Sequence, residues 1–395
     1  MMNILEIIIN IAIIIFKFFL IIYFLLTIYF DNINIIINKE TIIIKNDIKN
    51  IENYYKICNN GILLNNKNFT QYFIPKISII TPIHNREKYI LRYLRSLQNQ
   101  NFDDIEIILI DDYSTDNTLN IIEQFKKEDK RIVLIKHNKN KGTLISRNEG
   151  VLKSKGKYLI FLDPDDIISS NILLFCYNNA EKYDYDIIRF NIYKGYGNIV
   201  CDFLETNHFE QIMYQPKLFY YLYYGLGRLQ QTDFFITNKF IKRTIFIKAL
   251  NIINKYYLNQ YMIDCEDGLI NFMLYRIANS YLFSRRIGYY YIQNEQSITN
   301  ENSSNIQKRI KNNFLYLKFI FQNTKNNMIE KNISNFMFLD IYNLHKELFN
   351  NLYKEKIDYK FYNEIINLYL NCEFISLNIK EILNNITIKF EKSIL

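Results

Sequence analysis

The sequence predicts an α/β protein built on a Rossmann-like, largely parallel sheet. Three observations carry that reading. From Lys76 onward, short apolar runs alternate with stretches of helical spacing, and strands alternating with helices at this spacing form βαβ units. Two of the apolar runs end in acidic clusters, Asp111/Asp112 and Asp163/Asp165/Asp166. In open parallel sheets ligands bind beyond the carboxyl ends of the strands, which is where those clusters fall. No G-x-G-x-x-G and no G-x-x-x-x-G-K-[ST] occurs, so a nucleotide would be held by carboxylates and a cation, without a glycine cradle.

The elements follow in order. Ile77–Thr81 is an apolar run ending at Pro82, and Ile90, Leu91, Leu94 and Leu97 have helical spacing. Ile105–Ile110 reads as a second buried strand, and Leu119, Ile122 and Phe125 lie on one helix face. Ile132–Ile135 is a third strand. Lys141-Gly142 then opens a helix with Leu144, Ile145 and Val151 facing inward. Tyr158–Leu162 is a fourth strand, running into Asp163-Pro164-Asp165-Asp166. Three carboxylates within four positions repel unless something positive lies between them. A hard divalent cation such as Mg²⁺ or Mn²⁺ relieves that repulsion and binds phosphate as well; the alternative is an acidic turn before a helix near Ser169.

Length and composition bound the rest. The chain has 395 residues, enough for two to three domains' worth of core, and 49% apolar with 16% aromatic content exclude a mainly disordered chain. The net charge of +8 is spread along the sequence, so it leaves no nucleic-acid footprint. It suits an acidic small substrate or an anionic membrane surface. Five cysteines form no C-x-x-C pair and no zinc spacing, and are expected as free thiols.

Ile7 to Phe30 is nearly unbroken apolar sequence. As a helix it would be about 36 Å long, against a hydrocarbon core of about 30 Å. Residues 1–30 are therefore expected to be a single membrane anchor of undetermined orientation, despite the cost of Lys17. Residues 31–75 read as a stem. Sequons at Asn68, Asn302, Asn332 and Asn385 occur at a frequency that chance explains in so Asn-rich a chain.

Four motifs, in order and spacing, resemble those of the inverting family 2 glycosyltransferases of the GT-A fold. They are Ile80-Thr81-Pro82-Ile83-His84-Asn85 with Glu87, Ile110-Asp111-Asp112-Tyr113-Ser114-Thr115-Asp116, Asn140-Lys141-Gly142 with Ser146-Arg147-Asn148-Glu149-Gly150, and Phe161-Leu162-Asp163-Pro164-Asp165-Asp166. Later, Asn238-Lys239 with Lys242-Arg243, and Glu266-Asp267 before a helix, resemble the acceptor half. The resemblance covers about residues 76–300. It implies a Rossmann-like mixed sheet with a nucleotide-sugar-binding half (76–210) and an acceptor half (211–300). A helical C-terminal region (301–395) would follow.

The resemblance also implies roles. Pro82, His84, Asn85, Glu87, Asp112, Arg147, Asp163 and Asp165 would line the nucleotide-sugar site. His84 stands where the family usually has Tyr, and either ring can stack on a base. Asp112 would accept the base N–H, and Asp163 and Asp165 would lie at the ribose and diphosphate. Asp166, with Asp165, would hold Mn²⁺ or Mg²⁺, which neutralises charge on the leaving diphosphate. Arg147 would brace the acidic group. Asp267 would take the proton of the acceptor hydroxyl, with Glu266 orienting or binding the acceptor; the alternative for this pair is a helix N-cap. The expected partners are a nucleotide-diphospho-sugar, above all a UDP-sugar, and a glycan, protein or lipid acceptor, with no nucleic acid. The absence of Trp and the single apolar span separate the chain from processive synthases and point to single additions. A membrane-anchored binding or scaffold protein with an inactive transferase fold is the alternative; the presence of Asp112, Asp166 and Asp267 weighs against it.

Overall fold

The computed structural model describes residues 53, 56–60, 74–196, 199–203, 211–215, 235–257, 261–262 and 265–293, with 312, 315–316, 319–320 and 322–323. From residue 56 on, these belong to one compact unit, Tyr54–Leu395. The expected anchor, nearly all of the expected stem and most of the expected C-terminal helical region lie outside the described residues. Among the described residues no helix is long and apolar enough to cross a membrane.

The first half follows the expected alternation: β1 (Ile77–Ile83), α1 (Ile90–Gln98), β2 (Ile105–Asp111), α2 (Thr118–Glu128), β3 (Ile132–Lys136), α3 (Thr143–Lys153) and β4 (Tyr158–Phe161). Then come β5 (Ile167–Ile168), α4 (Ile172–Tyr183), β6 (Ile187–Tyr196), β7 (Ile199–Phe203) and β8 (Gln211–Tyr214). The last elements are β9 (Lys239–Lys242), α5 (Arg243–Tyr257), α6 (Glu266–Ile277) and β10 (Ser280–Gln293).

One sheet runs β3-β2-β1-β4-β9-β6-β10-β5, with β7 on β6 and β8 on β10. Strands β1 to β4 are parallel, β9 is antiparallel to both β4 and β6, and β10 is parallel to β6. The sheet is therefore mixed, and β9 sits between two strands of the first half. The register aligns Ile83 with Asp111 and Ile80 with Phe161. That alignment brings the residues following β1, β2 and β4 to one rim.

Alternate strand residues point to opposite faces, and both faces are covered. Ile80, Ile108, Ile110, Leu159 and Phe161 pack with α3, α5 and α6. Ile79, Ile107, Leu109 and Ile160 pack with α1, α2 and α4. Two-sided burial explains why these strands are continuous Ile/Leu runs without alternation. Helix α3 lies so close to the sheet that a Cβ on Gly150 would come within 2.5 Å of Ile80 Cγ2. Phe161 stacks on Phe246 of α5 with ring centres 4.7 Å apart. Of the cysteines, Cys58 and Cys176 are buried free thiols and Cys265 is a half-buried one, as expected.

Candidate active site

The site grows from the loops that leave β1, β2 and β4. The first two loops are stitched together. Asn85 N–H donates to Ser114 Oγ (3.0 Å) and Thr115 N–H to Asn85 Oδ1 (2.8 Å). Glu87 N–H donates to Asp116 Oδ2 (3.1 Å), and Asn117 N–H to Glu87 Oε2 (3.0 Å). Asn85 and Glu87 thus fix the shape of the rim. Asn85 (φ +52°) and Tyr113 (φ +67°) hold left-handed backbone there, a cost of about 1–3 kcal/mol for a residue like Tyr that sites, more than cores, tolerate. Pro82 lies within β1 and is half-buried.

Asp112 is buried and heavily engaged. Its Oδ1 accepts Lys141 N–H (2.8 Å) and faces His137 Nδ1 (2.7 Å), while its Oδ2 accepts Gly142 N–H (2.8 Å). A carboxylate oxygen offers two acceptor sites, so one remains on Oδ2. His84 Nδ1 lies 2.9 Å from the Asp112 carbonyl oxygen. His137 reaches on to Glu149 Oε2 (3.0 Å), and Glu149 Oε1 pairs with Lys141 Nζ (2.7 Å). The loop before α3 is thereby locked to β2.

Arg147, on α3, is 3% exposed. Its Nη1 bonds Asp267 Oδ1 and lies 3.3 Å from Glu266 Oε1, and its Nη2 lies 3.5 Å from Asp163 Oδ1. Burial alone would lower its pKa; Asp267, Glu266 and Asp163 more than reverse that and raise it. One guanidinium therefore joins the acidic turn after β4 to the first turn of α6, some hundred residues away in sequence. Glu266 and Asp267 do not cap their own helix, because no side-chain cap bond is present and the cap position is Cys265 at φ +64°. Asp267 Oδ2 instead accepts Ile236 N–H (3.0 Å).

The acidic turn divides by direction. Asp163 and Asp165 face the two arginines, with Arg86 Nε 3.6 Å from Asp165 Oδ2. Loss of solvent raises the Asp163 carboxyl to about 6; Arg147 opposes the rise and Asp165 adds to it. Asp166 turns away: it is 2% exposed, and it accepts Tyr289 O–H at Oδ2 (2.6 Å) and Ile292 N–H at Oδ1 (2.8 Å). Burial and the two neighbouring aspartates push its pKa well up. Each of its oxygens carries one bond from β10 and keeps one acceptor site.

Chain comparisons decide the family. The model of glycosyl transferase family 2 matches residues 78–250. An uncharacterized glycosyltransferase of Haemophilus influenzae is 34% identical over 204 residues, which is 51% of this chain and 76% of that protein. The chain belongs to glycosyl transferase family 2. This glycosyltransferase spans less of other relatives. Glycosyltransferase GlyG of Streptococcus pneumoniae is 36% identical over 30% of this chain and 39% of its own length. The poly(ribitol-phosphate) beta-glucosyltransferase of Bacillus spizizenii is 42% identical over 28% of this chain but 18% of its own length. Among solved structures, S. aureus TarS 1-349 in complex with UDP-GlcNAc aligns with a TM-score of 0.57 at 19% identity, covering 76% of this chain and 82% of that one. That likeness places the fold in the same architecture.

Among the described residues no group of three or more His, Cys, Asp or Glu side chains surrounds a metal position. Asp163 and Asp165 are nonetheless paired at the rim, and the charge of Asp165 already makes ionisation of Asp163 harder. Mg²⁺ and Mn²⁺ in phosphate sites commonly take one or two protein carboxylates and draw their other ligands from phosphate and water. Sequence reasoning passed over Arg86 and His137, which hold the rim together. His137 had a usable signal, an ionisable side chain just ahead of Asn140-Lys141-Gly142 at a strand end. Tyr289-Tyr290-Tyr291 resembles the family's strand that closes the acceptor half, but nothing local links Tyr289 to Asp166, 123 residues away.

Proposed function

We propose that the glycosyltransferase moves a hexose or N-acetylhexosamine from a UDP-sugar to an acceptor hydroxyl, with inversion. The observation that carries this reading is the Arg147 bridge, which holds Asp163 of the donor side and Asp267 of the acceptor side on one guanidinium. The donor half (76–210) binds the nucleotide through His84, Asp112 and the rim that Pro82, Asn85 and Glu87 shape. The remaining acceptor site on Asp112 Oδ2 takes a base N–H. Asp163 and Asp165 would hold a divalent cation, which would supply charge neutralisation at the leaving diphosphate.

Asp267 is the base. Arg147 and Ile236 N–H fix its two oxygens, leaving a lone pair to receive the acceptor proton. The acceptor oxygen then attacks the anomeric carbon from the face opposite the diphosphate. The carbon–oxygen bond to the diphosphate breaks, and UDP leaves. Glu266, buried beside Arg147, positions the guanidinium. In-line geometry of this kind depends on placement to within about an ångström, and a buried guanidinium shared by both ends supplies it. The acceptor is a glycan, protein or lipid, and the apolar 1–30 segment with its stem (31–75) anchors the enzyme at a membrane.

Incubation with UDP-glucose, UDP-galactose and UDP-N-acetylglucosamine in Mn²⁺ tests the reading through UDP release. Asp267→Asn is expected to lower kcat by about 10²–10⁴-fold, the usual weight of general-base catalysis, with UDP affinity unchanged. Full activity in Asp267→Asn would remove it from the base role.

A further inference from the structure

We infer that Tyr261 is a nucleobase-binding residue, an aromatic wall of the donor slot supplied by the acceptor side of the chain. The inference rests on the proposed nucleotide-sugar site and adds a residue to it. Gly142 holds the left-handed backbone (φ +88°) and donates its N–H to Asp112 Oδ2 at 2.8 Å. A Cβ on Gly142 would meet the Met262 carbonyl oxygen at 3.0 Å and the Tyr261 ring at 3.2 and 3.3 Å. The Tyr261 ring therefore rests on the backbone that grips the Asp112 carboxylate. Asp112 thus has one ring, His84, at its main chain and another, Tyr261, beside its carboxylate.

The placement is anchored. Met262 is fully buried in the core shared by α3, α5 and α6, whereas Tyr261 is 42% exposed. Partial burial, and after it the charge of Asp112, raises the Tyr261 hydroxyl pKa. The ring packs against Gly142, whose N–H holds Asp112 Oδ2, and 42% of the residue stays open to solvent. A planar base hydrogen-bonded at Asp112 Oδ2 comes within reach of the ring, and base–aromatic stacking is a general mode of nucleotide binding. The smaller imidazole of His84 leaves room for such a second contributor.

Calorimetric titration with UDP in Mn²⁺ tests it, using the full chain, Tyr261→Phe and Tyr261→Ala, with inorganic pyrophosphate as a base-free probe. Loss of one stacking partner corresponds to UDP binding about tenfold weaker or more. That loss is expected in Tyr261→Ala, with Tyr261→Phe near wild type and pyrophosphate affinity the same in all three. Unchanged UDP affinity in Tyr261→Ala overturns the inference and leaves the donor site standing. Equal loss of UDP and pyrophosphate would make Tyr261 a structural prop, and a raised KM for the acceptor alone would make it an acceptor platform; either result also overturns it. Failure of the wild type to bind UDP or any other nucleoside diphosphate would remove the donor site itself.

Discussion

Replacing Arg147 with Met keeps the stem volume and deletes the charge that three carboxylates share. Each pair, at 3.3–3.5 Å for Glu266 and Asp163 and closer for Asp267, has a gross attraction of about 5 kcal/mol at an effective dielectric of about 20. Most of that offsets the desolvation of a buried guanidinium. What the substitution exposes is the uncompensated acids, and breaking a buried pair costs about 3–5 kcal/mol. Asp163 and Asp267 reach solvent and relax, so a loss of about 2–4 kcal/mol is expected. The sign with pH is fixed. Without Arg147 the Asp163 carboxyl, already raised above its unfolded value, loses the charge that opposes the rise. The destabilisation is then largest at neutral pH and shrinks as pH falls and it protonates. Urea unfolding at pH 7.5 and pH 5 reads both effects. UDP release at neutral pH is expected to fall about a hundredfold as Asp267 loses its orientation. A variant within about 0.5 kcal/mol of wild type, with the same pH dependence, would refute the shared-guanidinium account, since that is the range of an ordinary surface substitution.

Three other perturbations follow from the same geometry. Asp163 must ionise to bind a cation, and its carboxyl is raised to about 6, so Mn²⁺–UDP affinity rises as pH increases through that value. Calorimetry in buffers of different ionisation enthalpy should detect proton release at pH 5.5, and Asp163→Asn should abolish it. Asp166→Ala strands Tyr289 O–H and Ile292 N–H in the interior and is expected to cost about 2–4 kcal/mol in chemical denaturation. Asp166→Asn keeps hydrogen-bonding capacity at both places and should retain Mn²⁺-dependent UDP affinity; its loss in a stable protein would return Asp166 to the metal. Gly142→Ala strains a left-handed position and collides with Met262, so a stability loss above about 1 kcal/mol with weakened UDP binding is expected.

The sequence displays the donor half well because its strands are buried on both faces. Apolar runs define β1, β2 and β4 to within two residues, and acidic turns close β2 and β4. The rim position of Asp111/Asp112 and Asp163/Asp165 follows from chain order alone. The direction of Asp166 does not, because its partners Tyr289 and Ile292 come from a strand more than a hundred residues later. Nor does the insertion of β9 beside β4, since a four-residue strand paired through three residues leaves no periodic trace. The meeting of Arg147 with Glu266 and Asp267 is likewise a product of folding, and local sequence records only that each element ends in charge.

The position of β9 has a consequence for how the enzyme can be divided. Strand β4 loses one of its two lateral partners if the chain is cut between the two halves, and β6 loses two of its neighbours, β9 and β10. A donor-half fragment would present unpaired backbone along the middle of its sheet, and such edges recruit other chains. The pieces should therefore aggregate separately and refold only together. New donor or acceptor preferences can thus be acquired by exchanging rim segments, while grafting a whole half from a relative would break the frame that spaces base and leaving group.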